Sequence, residues 1–223
     1  MKFYESGDNR KPVIFLFPGT CCLYSSFDHV LDGLHSYFYT VTVSYDGFDP
    51  NEKTEFYSME DECEKIEQEI RKKYGGRIYL VAKIQSSMVV PFMYKMVHTG
   101  TLPKFMQKKL DKTDGGKKEL YNGFFNMFGI GKGGSPWITK QSIYNQFYSD
   151  LVTKVQHGID VPGTTIHVFY ATKMGEKYEK RYCTYFKNPD IQKHNMQHEE
   201  LFYCHSAEWV EEVRKAVELP DEI

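Results

Sequence analysis

Side chains able to act as nucleophiles, bases or metal ligands are scattered through this 223-residue chain, and their spacing excludes more chemistry than it offers. The five cysteines, Cys21, Cys22, Cys63, Cys183 and Cys204, show no paired spacing that reads as a zinc site, so no metal and no cofactor are expected. Cys21 and Cys22 are adjacent, a poor arrangement for a bridge because disulfide geometry is demanding. The odd count, with no signal peptide in view, predicts reduced thiols in a cytoplasm. Lys83 would form a Schiff base with a carbonyl substrate only if desolvated, and a lysine beside a turn is expected to be exposed instead. Ser86 and Ser87 follow closely, where a helix start would use them for capping or packing.

The bulk composition narrows the field further. Hydrophobic residues make up 41% and charged residues 26% of the chain, the balance of an ordinary globular protein long enough to bury one large core. A formal net charge of −2 gives no electrostatic reason to expect nucleic acid or an anionic membrane as partner. No run approaches the roughly 20 apolar residues needed to span a bilayer. The 17 tyrosines and 16 phenylalanines predict a ring-rich core, with a ring-lined pocket as the alternative.

The elements that must position any site alternate. Val13 to Phe17 (VIFLF) is wholly apolar and stops at Pro18-Gly19, the pattern of a strand buried on both faces. Phe27 to Tyr37 has helical spacing, and Tyr39 to Tyr45 (YTVTVSY) is a β-branched and aromatic strand ended by Asp46-Gly47. Ser58 and Asp61 fit a capping arrangement for a helix running to Gly75-Gly76, after which Arg77 to Val81 begins a third strand. Strand, helix, strand, helix, strand predicts an α/β fold with a mostly parallel sheet flanked by helices. Near the end, Thr164 to Thr172 is a strand, Gly175 to Phe186 a helix, Asp190 to Met196 a short strand and Ala207 to Glu218 an amphipathic helix. His194, on that short strand, is expected to be structural. Between them, residues 88–161 show helical pieces, a Gly/Lys-rich break (DGGKK) and no convincing strand. The expected organisation is one domain: 1–87 and 162–223 form the core, and 88–161 form a helical cap.

At four places the chain resembles the α/β-hydrolase family, in particular its small bacterial members with a helical cap. FLFPGTCC is similar to the family's first glycine turn, which implies that the backbone of Thr20 or Cys21 lends an N–H to an oxyanion hole. TTIHVFYATKMGEKYEKRY looks like the strand and loop that bear the triad acid, which implies Glu176 in that role, with Glu179 and Asp190 as alternatives. MQHEEL resembles the loop of the triad histidine, which implies that His198 takes the nucleophile's proton and returns it to the leaving group. The acid-before-histidine order agrees with the family.

The fourth place departs from the pattern. The family elbow is G-x-S-x-G, and superposing it on RIYLVAKIQSSMVV gives Ala82-Lys83-Ile84-Gln85-Ser86, with isoleucine at the nucleophile position. Isoleucine cannot attack a carbonyl, and its β-branch suits a strained turn poorly. Ser86 is the alternative nucleophile, and Gln85 joins Thr20 and Cys21 as a residue for the oxyanion or for binding. The run from Ile84 also passes straight into cap-like helix, one core strand short of the family's sheet. The preferred explanation is a lost segment (elbow, following helix and next strand) joined near Ala82, rather than a point substitution.

The resemblance thus implies serine-hydrolase lineage, acting on a small ester or other acyl compound, with a degenerate catalytic triad and weak or lost catalysis. Two alternatives stand beside it: a non-catalytic member that binds a small ligand, and general-base chemistry by His198 without a serine. The expected partner is a small molecule, neither nucleic acid nor membrane, and the oligomeric state stays open.

Overall fold

The computed structural model describes residues 1–75, 78–82 and 90–218, with backbone alone for 78–82 and 90–92. Lys83, Ile84, Gln85, Ser86 and Ser87, and with them the elbow and its junction, lie outside the described residues. The rest falls into two compact units, Met1–Thr153 and Lys154–Glu218.

The first unit is built on a four-stranded sheet in the order β1 (Lys2–Ser6), β3 (Tyr39–Ser44), β2 (Val13–Phe17), β4 (Ile78–Ala82). β2 runs parallel to both neighbours, with Phe15 opposite Val41 on one side and Leu80 on the other. Its position between two strands explains the unbroken apolar run: Ile14, Phe15 and Leu16 have no exposed surface. β1 pairs antiparallel with β3 and makes the sheet mixed, a strand that the polar start of the sequence does not announce. The physical reason is its edge position, where Lys2 and Glu5 can face water and discourage further pairing.

Six helices accompany this sheet among the described residues: α1 (Asp28–His35), α2 (Met59–Lys73), α3 (Val90–Thr99), α4 (Lys104–Asp111), α5 (Gly115–Asn126) and α6 (Lys140–Val152). α2 starts as its sequence predicts. The Ser58 side chain accepts a hydrogen bond from the Asp61 N–H at 3.2 Å, a cap whose loss costs about 1 kcal/mol. Acidic residues fill its first turn and basic ones its last, each sign facing the favourable end of the helix dipole. The DGGKK segment is a correction: it is no break but the start of α5, because Asp114 takes the extended conformation of a helix N-cap and Gly115 opens the helix at φ +61°. Likewise a 3₁₀ turn at Tyr24–Phe27 precedes α1, which is shorter than its apolar spacing suggests. Among the described residues no strand lies between β4 and β5.

Phe15, Phe27, Phe38, Phe48 and Phe56 are all fully buried, so much of the phenylalanine content of this unit is core. Burying each such ring contributes on the order of 1.5–3 kcal/mol. Phe48 and Phe56 meet edge to face at 6.1 Å between ring centres.

The second unit holds a two-stranded parallel sheet of β5 (His167–Ala171) and β6 (Asp190–His194), joined by α7 (Glu176–Tyr185). The crossover helix between parallel strands follows from the geometry of a βαβ unit. Two helices close the unit, α8 (Glu200–Cys204) and α9 (Ser206–Ala216). Phe202 and Trp209 bind them edge to face at 5.0 Å, and Val210 and Val213 complete the buried face of α9. No helix of the described residues is long and apolar enough to cross a membrane.

Candidate functional site

The turn after β2 carries the two residues expected to serve an oxyanion. Pro18 and Gly19 end the strand, and the Cys22 N–H closes the turn on the Gly19 carbonyl at 3.0 Å. Cys21 sits between with φ +59°, a left-handed conformation that costs a non-glycine residue on the order of 1 kcal/mol. A specific bond holds it there. The Cys21 N–H donates to Oε1 of Gln146, 2.7 Å away, and Gln146 is only 2% exposed.

One helical turn further along α6, Asp150 Oδ2 accepts the Thr20 hydroxyl at 2.6 Å. Gln146 and Asp150 are four residues apart and share a face of α6, so this single helix engages the Cys21 amide and the Thr20 hydroxyl of the turn. Burial raises the Asp150 carboxyl above its ordinary range, and the Thr20 hydrogen bond pulls it back part of the way. Burial also pushes the Cys21 thiol well up, with Cys22 and Asp150 adding to the effect. Cys21 is therefore a protonated, inert thiol rather than a nucleophile. Cys22 Sγ lies 3.2 Å from Met127 Sδ in the core.

The second unit places the expected base and acids. His198 lies in the loop before α8 with its side chain 39% exposed. Glu176 is the first residue of α7 and exposed, and among the described residues it forms no hydrogen bond or ion pair. Glu179 pairs with Lys193 at 2.8 Å. Asp190 accepts from His167 Nδ1 at 2.8 Å, and that bond, helped by one from Gln192, holds its carboxyl below the usual range. The carboxylate nearest His198 is instead Glu199, whose Oε1 lies 3.5 Å from Nε2. Glu199 has φ +65°, and this left-handed backbone precedes the first turn of α8. His194 turns its ring edge to Phe169 at 6.0 Å, with a buried Nε2 that has no hydrogen-bond partner among the described residues.

A further cluster joins the carboxyl end of β3 to the first turns of α2, a place where the sequence shows only a turn and a cap. Asp46, Asp61 and Glu62 each offer a carboxylate oxygen within 4.8 Å of the others. Lys65 Nζ reaches Asp46 Oδ2 at 2.5 Å, touches Asp61 and stands 3.5 Å from Glu62 Oε1; the Met1 amino group also rests on Asp46. Burial raises the Glu62 carboxyl to about 7, although Lys65 and the amino group oppose it.

No protein-family model matches the sequence, and no curated protein matches it. Solved structures do. A protein described as an α/β-hydrolase family member from Desulfitobacterium hafniense superposes with a TM-score of 0.64 at 11% identity, over 97% of this chain and 100% of its own. A lipase-esterase related protein from Clostridium acetobutylicum gives 0.64 at 14% identity, over 96% of this chain and 98% of its own. A 1H-3-hydroxy-4-oxoquinoline 2,4-dioxygenase gives 0.57 at 13% identity, over 97% and 95%. At such identities the likeness is one of fold, and that fold serves more than one chemistry. From the parallel order of β3, β2 and β4, the late β5–α7–β6 unit and these superpositions together, the chain has the fold of the α/β-hydrolases.

Proposed function

We propose that this chain descends from serine hydrolases and binds a small carbonyl compound, an ester or other acyl derivative, while turning it over weakly or not at all. The observation that carries this reading is the Cys21 amide, which already donates to Gln146 at 2.7 Å. An oxyanion hole accelerates acyl transfer because its donors stand free and aimed at the oxygen where charge develops, and losing one costs roughly 100- to 1000-fold in rate. Here the donor is committed to a protein carbonyl, so a substrate oxygen must displace Gln146 first. Isoleucine at the elbow position of the sequence points the same way, since it supplies no nucleophile. On this reading α3 to α6 are the cap over the ligand. His198 is the former base, and Glu176, with Glu179 and Asp190 as alternatives, the former acid.

A second reading rests on one observation, the Glu199 carboxylate 3.5 Å from His198 Nε2. A half-exposed imidazole beside a carboxylate is equipped to accept a proton from water or from a substrate C–H without any serine. The likeness to a dioxygenase supports a non-hydrolytic use of this fold.

Turnover of p-nitrophenyl acetate and longer acyl esters separates the readings. The first predicts rates within about tenfold of buffer, unchanged by His198→Ala, because an engaged oxyanion donor forgoes most of the residual catalysis that such a site otherwise retains. Turnover far above buffer that disappears in His198→Ala would overturn it. Loss of a small buffer-level excess in that variant alone would favour the second reading.

A further inference from the structure

Glu62 is the anomaly outside the site just described. It is a carboxylate with no exposed surface, and among the described residues its Oε1 has no hydrogen-bond partner. A buried carboxylate is costly, and proteins place one where a cation or hydrogen bonds compensate it; here the Lys65 ammonium stands 3.5 Å from Oε1. Its other oxygen is fixed, since Oε2 accepts the Asp46 N–H at 3.1 Å. One carboxylate oxygen of Glu62 lies within 4.8 Å of one from each of Asp46 and Asp61.

We propose that Asp46, Asp61 and Glu62 form a binding site for a hard divalent cation such as Mg²⁺ or Mn²⁺, in which the Lys65 ammonium stands in for the metal. Three observations combine. Oxygens no more than 4.8 Å apart can share one ion, because hard cations sit about 2.0–2.6 Å from each oxygen ligand. The donor set is all carboxylate, with neither sulfur nor imidazole, which selects Mg²⁺, Mn²⁺ or Ca²⁺ over softer metals. Lys65 marks the position that favours positive charge, with Nζ 2.5 Å from Asp46 and 3.5 Å from the unpartnered oxygen of Glu62. Its side chain is 36% exposed, so the long stem can carry the ammonium out to water when an ion enters.

Asp46 lies just beyond β3, while Asp61 and Glu62 lie in the first turn of α2. A bound ion therefore ties the strand end to the helix start, with water completing its shell.

Mn²⁺ titration of the full chain, read by the EPR signal of free Mn²⁺ and by calorimetry, tests this on four proteins whose folds are checked by circular dichroism. Lys65→Met removes the competing ammonium and should bind one Mn²⁺ per chain about tenfold tighter than the unaltered protein. In the Lys65→Met background, Glu62→Gln should abolish that binding, and so should Asp61→Asn, a half-exposed position whose replacement leaves the core intact. An Mn²⁺ site in Lys65→Met that survives both carboxamides overturns the proposal, and so does the absence of binding in Lys65→Met at millimolar Mn²⁺.

Discussion

At the turn after β2 the Cys21 amide and the Thr20 hydroxyl are taken by α6 at 2.7 and 2.6 Å, whereas around His198 the imidazole is 39% exposed and the nearest carboxylate stands at 3.5 Å. These regions carry the two halves of one expected machinery, the oxyanion donor and the base. The first is finished as a structural joint: buried, hydrogen-bonded and holding a left-handed cysteine in place. The second keeps a side chain with room to move and little to hold it. A polar group that is buried and satisfied contributes to stability, and a polar group that is half in water is free for chemistry or for nothing.

Gln146→Ala should show the difference most strongly. It leaves the Cys21 N–H buried without an acceptor and should lower unfolding free energy by about 1–3 kcal/mol in denaturant titration. Hydrogen exchange at the Cys21 amide should rise in the same variant. A stable Gln146→Ala protein with a protected Cys21 amide would break the comparison.

Carboxylates with shifted proton affinity separate the two units through pH. Glu62, in the first unit, is raised from 4.5 to about 7, so the folded state binds its proton more tightly than the unfolded chain does. Its contribution is present in full below pH 4.5 and is lost as pH rises towards 7. Asp150, also raised, acts in the same direction. Asp190, in the second unit, is lowered by His167, so its contribution holds above its ordinary range and is lost on acidification. Glu62→Gln should therefore flatten the decline in stability between pH 4.5 and 7, measured by chemical denaturation at each pH.

Thr20→Val ranks next. It removes the hydrogen bond that pulls the Asp150 carboxyl back towards its ordinary range, and because that bond is exposed only about 0.5 kcal/mol of stability should go with it in the same titrations. Smallest of all is His198→Ala, which should fall within about 0.5 kcal/mol of the unaltered protein, as surface substitutions usually do. A large loss there would show that the histidine is structural after all.

Much of the fold is legible where one residue dictates one feature. VIFLF can only be a strand buried on both faces, and Ser58 three residues before Asp61 fixes the start of α2, as the 3.2 Å bond confirms. β1 is not legible, because an edge strand such as KFYES needs no apolar run. Nor is the role of α6. Its buried face carries Ile143 and Phe147 together with the polar Ser142, Gln146 and Ser149, while Tyr144, Tyr148 and Leu151 are exposed. Gln146 shares the inward face set by Ile143 and Phe147, but its sequence does not say that it accepts the Cys21 N–H there. The carboxylate beside His198 is hidden for a different reason. Chain order draws attention to Glu176, Glu179 and Asp190, yet the left-handed backbone of Glu199 brings the adjacent residue to the imidazole.

With its amide engaged by Gln146, the turn after β2 should support no covalent acyl intermediate. Mixing the protein with excess p-nitrophenyl acetate and following nitrophenolate on the millisecond-to-second scale addresses it directly, since an acyl-enzyme announces itself as a burst. A linear trace with no burst is expected; release of about one equivalent per chain before the steady state, abolished by His198→Ala, would show an acyl-enzyme instead.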